Sequence, residues 1–190
     1  MIPLHAAWMG KAVDGELKKV LHSGYIGQGP KVDEFERALI PWIGRSTILT
    51  VNSCTSAIHL ALRLSGVTDS SEVISTPVTC TATNTPVLAY GAKLVWADID
   101  PWTGNADPES VRKKITKKTK AVIAVHWGGT PCDLESLSSV CAEHGLKLIV
   151  DAAHALGATY QGKPVGQWGD FVCFSFQAIK PLTTGDGGLL

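Results

Sequence analysis

The chain has 190 residues, enough for one domain with a sizeable core and too few for two comfortable ones. Apolar residues make up 45% and charged residues 18%, the balance of an ordinary globular interior, which excludes a disordered chain. Seventeen basic and seventeen acidic residues cancel, so no global field draws the chain to nucleic acid or an anionic membrane.

The segment Met1–Gly10 lacks a basic stretch followed by a long apolar core, and no later apolar run approaches membrane length. A soluble cytoplasmic protein is expected. Helical spacing appears near Val13–His22 and Val32–Leu39. Between them lies Ser23-Gly24-Tyr25-Ile26-Gly27-Gln28-Gly29-Pro30, a turn that needs no role beyond joining helices unless a ligand comes near it.

From Thr47 onward the pattern becomes regular. Short apolar strands are expected near Thr47–Val51, Glu72–Thr76, Lys93–Ala97, Ala121–Val125, Leu146–Asp151 and Phe171–Phe176. Helices near Ser56–Leu64, Ala82–Tyr90, Pro108–Ile115 and Leu134–His144 alternate with them, opened by Asp107-Pro108 in one case and closed by Gly66, Gly91 and Gly145 in others. Such alternation implies an α/β fold with a mostly parallel sheet covered on both faces, whose ligands sit at the carboxyl ends of the strands. The lysine-rich run Arg112–Lys120 reads as a solvated helix and turn.

Function is therefore sought just after each strand. Val51-Asn52-Ser53-Cys54-Thr55-Ser56-Ala57 leads into a helix, where free N–H groups and the Thr55 and Ser56 hydroxyls could seat a phosphate, or where a plain helix cap could lie. Pro77–Asn84, containing Cys80, is another polar turn into a helix. His126-Trp127-Gly128-Gly129-Thr130-Pro131 suits a pocket wall or a strand cap equally well. Asp151 closes the apolar run Leu146–Val150; it is either a solvated cap or a carboxylate held to stabilise a protonated ring nitrogen, with His154 reaching another polar group of that ring.

The last strand runs into Ser175-Phe176-Gln177-Ala178-Ile179-Lys180 and then a glycine-rich turn through Gly188. A partly desolvated lysine there is suited to attack a carbonyl, as a Schiff-base lysine must, whereas an ordinary solvated lysine would have no such part. Cys54, Cys80, Cys132, Cys141 and Cys173 show no CxxC spacing, and the six histidines form no HxxxH or HExxH pair. Buried thiols and no metal site are expected.

These pieces in this order resemble the pyridoxal-phosphate-dependent sugar aminotransferases of the DegT/StrS type, over nearly the whole chain from Gly24 through Phe35-Glu36 to Gly188. The specific motifs are Asp151-Ala-Ala-His154 and Ser175-Phe-Gln-Ala-Ile-Lys180. The resemblance implies a three-layer large domain of the aspartate-aminotransferase type, with Lys180 carrying pyridoxal 5'-phosphate as a Schiff base and moving the proton. It also implies that Asp151 pairs with the pyridinium nitrogen, His154 lies near the ring hydroxyl, and Thr55, Ser56, Ser175 and Gln177 hold the phosphate. The donor would be an amino acid, usually glutamate. The acceptor would be a nucleotide-linked keto sugar, used in polysaccharide or sugar biosynthesis, and the enzyme a homodimer.

Three departures stand out. Cys80 takes the place where many relatives stack an aromatic residue on the cofactor, and Cys54 stands where glycine is frequent in the phosphate turn. Family members are also roughly twice as long, so residues 1–190 are expected to be the cofactor-binding large domain without its C-terminal small domain. Two other readings share the scaffold. One is dehydratase-type chemistry, against which Lys180 argues because the family's sugar dehydratases carry histidine there; the other is a truncated homologue that binds or regulates without catalysis.

Overall fold

The computed structural model describes residues 6–190, so the first five residues of the Met1–Gly10 segment lie outside it. Among the described residues six α-helices form: α1 (Val13–Leu21), α2 (Pro30–Ile43), α3 (Cys54–Leu64), α4 (Thr81–Ala89), α5 (Pro108–Lys114) and α6 (Leu134–His144). The strands are β1 (Thr50–Val51), β2 (Glu72–Ser75), β3 (Lys93–Trp96), β4 (Thr119–Val125), β5 (Lys147–Asp151), β6 (Thr159–Tyr160), β7 (Lys163–Pro164), β8 (Phe171–Ser175) and β9 (Gly188–Leu189).

Helix ends follow local chemistry. Asp133 caps α6 by accepting from the Ser136 N–H at 3.1 Å, and Gly145 closes it in the left-handed conformation (φ 64°) that glycine adopts without strain. Asp107 accepts from the Glu109 N–H ahead of α5, whose first residue is Pro108. Helix α2 extends beyond the expected Val32–Leu39, because Pro30 is preorganised for a first turn and the chain finds its stop at Gly44 (φ 78°).

The main sheet has the order β1-β9-β8-β5-β4-β2-β3. Ladders from β3 through β2, β4 and β5 to β8 are parallel, while β9 and β1 add an antiparallel edge. The fold class is α/β, a mostly parallel sheet with helices on both faces. Alternate residues of the central strands feed two cores. Val122 and Ala124 of β4, with Leu148 and Val150 of β5, face Leu39, Ile43, Leu134 and Leu137 of α2 and α6. Ala121, Ile123 and Val125, with Ile149, face Ala57, Ile58, Ala61 and Leu62 of α3 and Val87 of α4. Asp151, two residues after Ile149, falls on the α3/α4 side at the carboxyl end of β5.

The expected first strand, Thr47–Val51, contracts to Thr50–Val51. Its partner is β9, beyond the lysine turn, and Leu49 and Leu190 exchange backbone hydrogen bonds at 2.8 and 2.9 Å beside it. Phe35 and Glu36 tie α2 to this edge. Glu36 Oε1 accepts from both the N–H and the hydroxyl of Thr50 at 2.8 Å, and the Phe35 ring meets Phe176 edge-on at 5.2 Å. Among the described residues no helix is long and apolar enough to cross a membrane.

Candidate active site

The carboxyl ends of β4, β5 and β8 and the first turns of α3 and α4 enclose a cavity of about 400 Å³, within the usual size range of small-ligand pockets. Thr55, Cys80, Asp151, His154, Ser175, Gln177 and Lys180 all line it. Lys180 is half-buried, in a turn where its N–H donates to the Gln177 carbonyl at 2.9 Å. Ser175 is buried at the end of β8.

Ser56, expected beside Thr55, is not among the lining residues. Ser53 caps α3, and Ser56, three residues on, faces back toward the cap, as side chains at that helical position do. Its hydroxyl donates to Asn52 Oδ1 at 2.6 Å and lies 3.0 Å from Ser53 Oγ, while its N–H donates to Ser53 Oγ at 3.1 Å. Its part is to brace the turn that brings Thr55 to the cavity.

Asp151 is buried and richly partnered. Oδ2 accepts from Thr83 Oγ1 at 2.7 Å, and Oδ1 accepts from the Ala153 N–H at 3.0 Å and the Cys54 thiol at 3.8 Å. Behind Thr83, Thr79 Oγ1 lies 2.7 Å from its hydroxyl. Since Thr83 gives its proton to the carboxylate, Thr79 donates to Thr83, and the chain of donors fixes the Asp151 side chain in place. Cys54 therefore points down beside Asp151, and burial together with that carboxylate holds its thiol well above the ordinary range. It is not poised to be a nucleophile.

Positive and negative groups act together on His154. Burial lowers its pKa, the Lys180 ammonium lowers it further, and Asp151 opposes both. The imidazole packs on the Trp127 indole with ring centroids 6.0 Å apart. Gly129 (φ 89°) makes this approach possible, because a Cβ there would stand 2.8 Å from the His154 carbonyl oxygen. Cys80 occupies the cap position of α4 without a side-chain cap bond and is exposed toward the cavity mouth.

A second, mostly apolar cavity of about 950 Å³ opens alongside, lined by the glycine turn from Ser23 to Pro30, by Phe35 and by Thr184–Gly188; Asp186 belongs to both cavities. Gly188 sets how close the lysine turn comes to the α3 cap. A Cβ there would lie 2.2 Å from the Ser53 carbonyl carbon and 2.4 Å from the Cys54 nitrogen.

The arrangement combines an amine, a buried carboxylate on an adjacent strand, and hydroxyls at a helix start. Residues 8–190 match the model of the DegT/DnrJ/EryC1/StrS aminotransferase family. The chain belongs to this family. It is 41% identical to the spore coat polysaccharide biosynthesis protein SpsC of Bacillus subtilis, covering 100% of this chain and 49% of that protein. It is 38% identical to a GDP-perosamine synthase of Vibrio cholerae, covering 100% of this chain and 52% of that enzyme. Among solved structures, the sugar aminotransferase CalS13 of Micromonospora echinospora superposes with a TM-score of 0.94 at 40% identity, covering 100% of this chain and 53% of that one. The chain spans about half the length of the curated relatives it matches.

The DegT/DnrJ/EryC1/StrS motifs thus converge in three dimensions on one cavity. Sequence reasoning passed over Thr83, Thr79 and Thr184–Gly188 as site elements and left His126 open. The hydroxyl density of Thr79–Thr83 was the signal available for the first two. Among the described residues no cluster of three or more His, Cys, Asp or Glu could hold a metal ion.

Proposed function

We propose that this chain is the cofactor-binding large-domain part of a pyridoxal-phosphate-dependent aminotransferase that moves an amino group from an amino acid to a nucleotide-linked keto sugar. The observation that carries this reading is the convergence of Lys180, Asp151 and the hydroxyls of Thr55 and Ser175 on one cavity.

The residues fit pyridoxal 5'-phosphate. Thr55, Ser175 and the first N–H groups of α3 would take its phosphate, with Ser56 bracing the turn and Gln177 at the rim. Asp151, held in place by the Thr83 hydroxyl and the Ala153 N–H, would pair with the pyridine nitrogen. His154 would meet the ring oxygen, and Cys80 would lie against the ring face as a small, polarisable group. When bound, the cofactor supplies an electron sink for a substrate carbanion.

The chain's own part is then acid–base work and exclusion of water. Lys180 Nζ would hold the cofactor through its aldehyde and would serve as the base and acid that moves a proton at the substrate carbon. The adjoining apolar cavity offers room for the bulk of a sugar substrate. Glutamate is the proposed donor. A sugar acceptor and a role in polysaccharide or sugar biosynthesis are supported by what the relatives' names state.

A homodimer in the cytoplasm completes the proposal. Helices α3 and α4 pack together and leave Leu60, Leu64 and Leu88 exposed, an apolar face that a second copy would cover. The test is to incubate the full-length protein with pyridoxal phosphate and glutamate. Formation of 2-oxoglutarate with conversion of the cofactor to its amine form is expected; a cofactor-loaded protein that yields neither would overturn the aminotransferase reading.

A further inference from the structure

His126 follows β4 and is fully buried, yet it lines the same cavity as Asp151. Its backbone is fixed to that neighbour, since the His126 N–H donates to the Asp151 carbonyl at 3.0 Å. Its ring is fixed from the other side. The Cys132 N–H donates to Nδ1 at 3.1 Å, and the Cys132 thiol, 3.4 Å from Nδ1, is committed to the Val125 carbonyl at 3.0 Å.

The loop that carries Cys132 is itself held. Buried Asn105 accepts from the Trp127 N–H at 2.9 Å and donates to the Thr130 and Pro131 carbonyls at 3.0 and 3.1 Å. Nδ1 is therefore an acceptor in a rigid frame, and it carries no proton. Burial lowers the pKa of His126 to about 4, so the ring is neutral and its single proton sits on Nε2.

That Nε2–H has no hydrogen-bond partner among the described residues. An orphaned buried donor costs about 1–3 kcal/mol, so a frame that enforces one is expected to serve a ligand. Lys180 and His154 also border the cavity, but neither is bonded to Nε2.

We propose that His126 is a cofactor-binding residue whose Nε2–H donates a hydrogen bond to the ring oxygen of pyridoxal phosphate held against Asp151. The inference rests on the cofactor reading above and adds to it a neutral donor of fixed tautomer. Asp151 would take the ring nitrogen, and His126, at the end of the adjacent strand, would join His154 at the ring oxygen, so that carboxylate and neutral donor together set the ring's orientation in its plane. A neutral donor binds that oxygen without adding a positive charge beside Lys180.

The test uses the full-length protein, with pyridoxal phosphate as the ligand and inorganic phosphate as the control. In the ligand-free protein, nitrogen NMR of the labelled histidines should show His126 neutral with its proton on Nε2. Pyridoxal phosphate should move the Nε2 resonance, and inorganic phosphate should leave it in place. Equilibrium binding should be about 5- to 10-fold weaker in His126→Phe, the worth of one hydrogen bond, with partial recovery in His126→Gln, which retains a donor.

The NMR arm needs no substitution and stands even where His126→Phe fails to fold. A proton on Nδ1, or an Nε2 signal unmoved while the cofactor binds, would overturn the proposal and leave the cofactor reading intact. If unsubstituted full-length protein bound no pyridoxal phosphate at all, the cofactor reading itself would fall.

Discussion

Thr83 Oγ1 donates to Asp151 Oδ2 across 2.7 Å, linking the first turn of α4 to the end of β5. This is the shortest polar contact that the buried carboxylate makes, and it holds one oxygen while the Ala153 N–H holds the other. Loss of a hydrogen bond to a charged group costs about 1.5–3 kcal/mol. Thr83→Val, which keeps the shape and removes the donor, should weaken pyridoxal phosphate binding by about 10-fold or more, the same energy at tenfold per 1.4 kcal/mol. Thr83→Ser should restore most of it. Titration of each variant with the cofactor, followed by its absorbance, checks both.

Gly188 predicts a steric effect. Its ideal Cβ would overlap the backbone of Ser53 and Cys54 at 2.2–2.4 Å, where no flexible side chain can yield. Gly188→Ala should displace the α3 cap, lower stability by about 1–3 kcal/mol and weaken phosphate-dependent cofactor binding. Gly15, inside α1 with nothing within 4 Å of its Cβ, is the control. Gly15→Ala should be neutral or stabilise by up to about 1 kcal/mol. Chemical denaturation of the two variants separates these outcomes.

Acid should destabilise the fold through His126. Its pKa is near 4 when folded against the ordinary 6.5, and the cause is burial. The unfolded chain therefore binds this proton first, so the contribution is complete above pH 6.5 and is lost as pH falls from 6.5 toward 4. The shift corresponds to about 3 kcal/mol at its full extent. The Cys132 thiol beside it is pushed up to about 12 by burial, and His154 adds a loss of the same sign. Denaturation midpoints between pH 7 and 4 should fall less steeply in His126→Gln than in the unsubstituted chain.

Much of this arrangement was legible in the sequence because the chemistry lies in continuous segments. The alternation from Thr47 to Phe176 marked which loops follow the carboxyl ends of strands; Asp151 closes one apolar run, and Lys180 stands four residues past another. What the sequence concealed is non-local or short. Strand β9 is two residues long, and its partner β1 lies more than a hundred positions upstream, so no periodicity could reveal the pair. The hairpin β6–β7 is equally brief.

Ser56 and Thr83 show the same limit at the level of side chains. Both are hydroxyls in a helix's first turn, and only tertiary placement decides that one turns back to its cap while the other reaches Asp151. His126 was ambiguous for a related reason. Whether a histidine caps a strand or walls a pocket depends on what meets each ring nitrogen, and here Cys132 meets Nδ1 alone.

The central claim concerns one amine. Full-length protein loaded with pyridoxal phosphate, reduced with borohydride, digested and mapped by mass spectrometry should carry the pyridoxyl group on the peptide containing Lys180, and Lys180→Ala should carry none. A stable adduct on another lysine, or loaded protein with Lys180 left unmodified, would contradict the account.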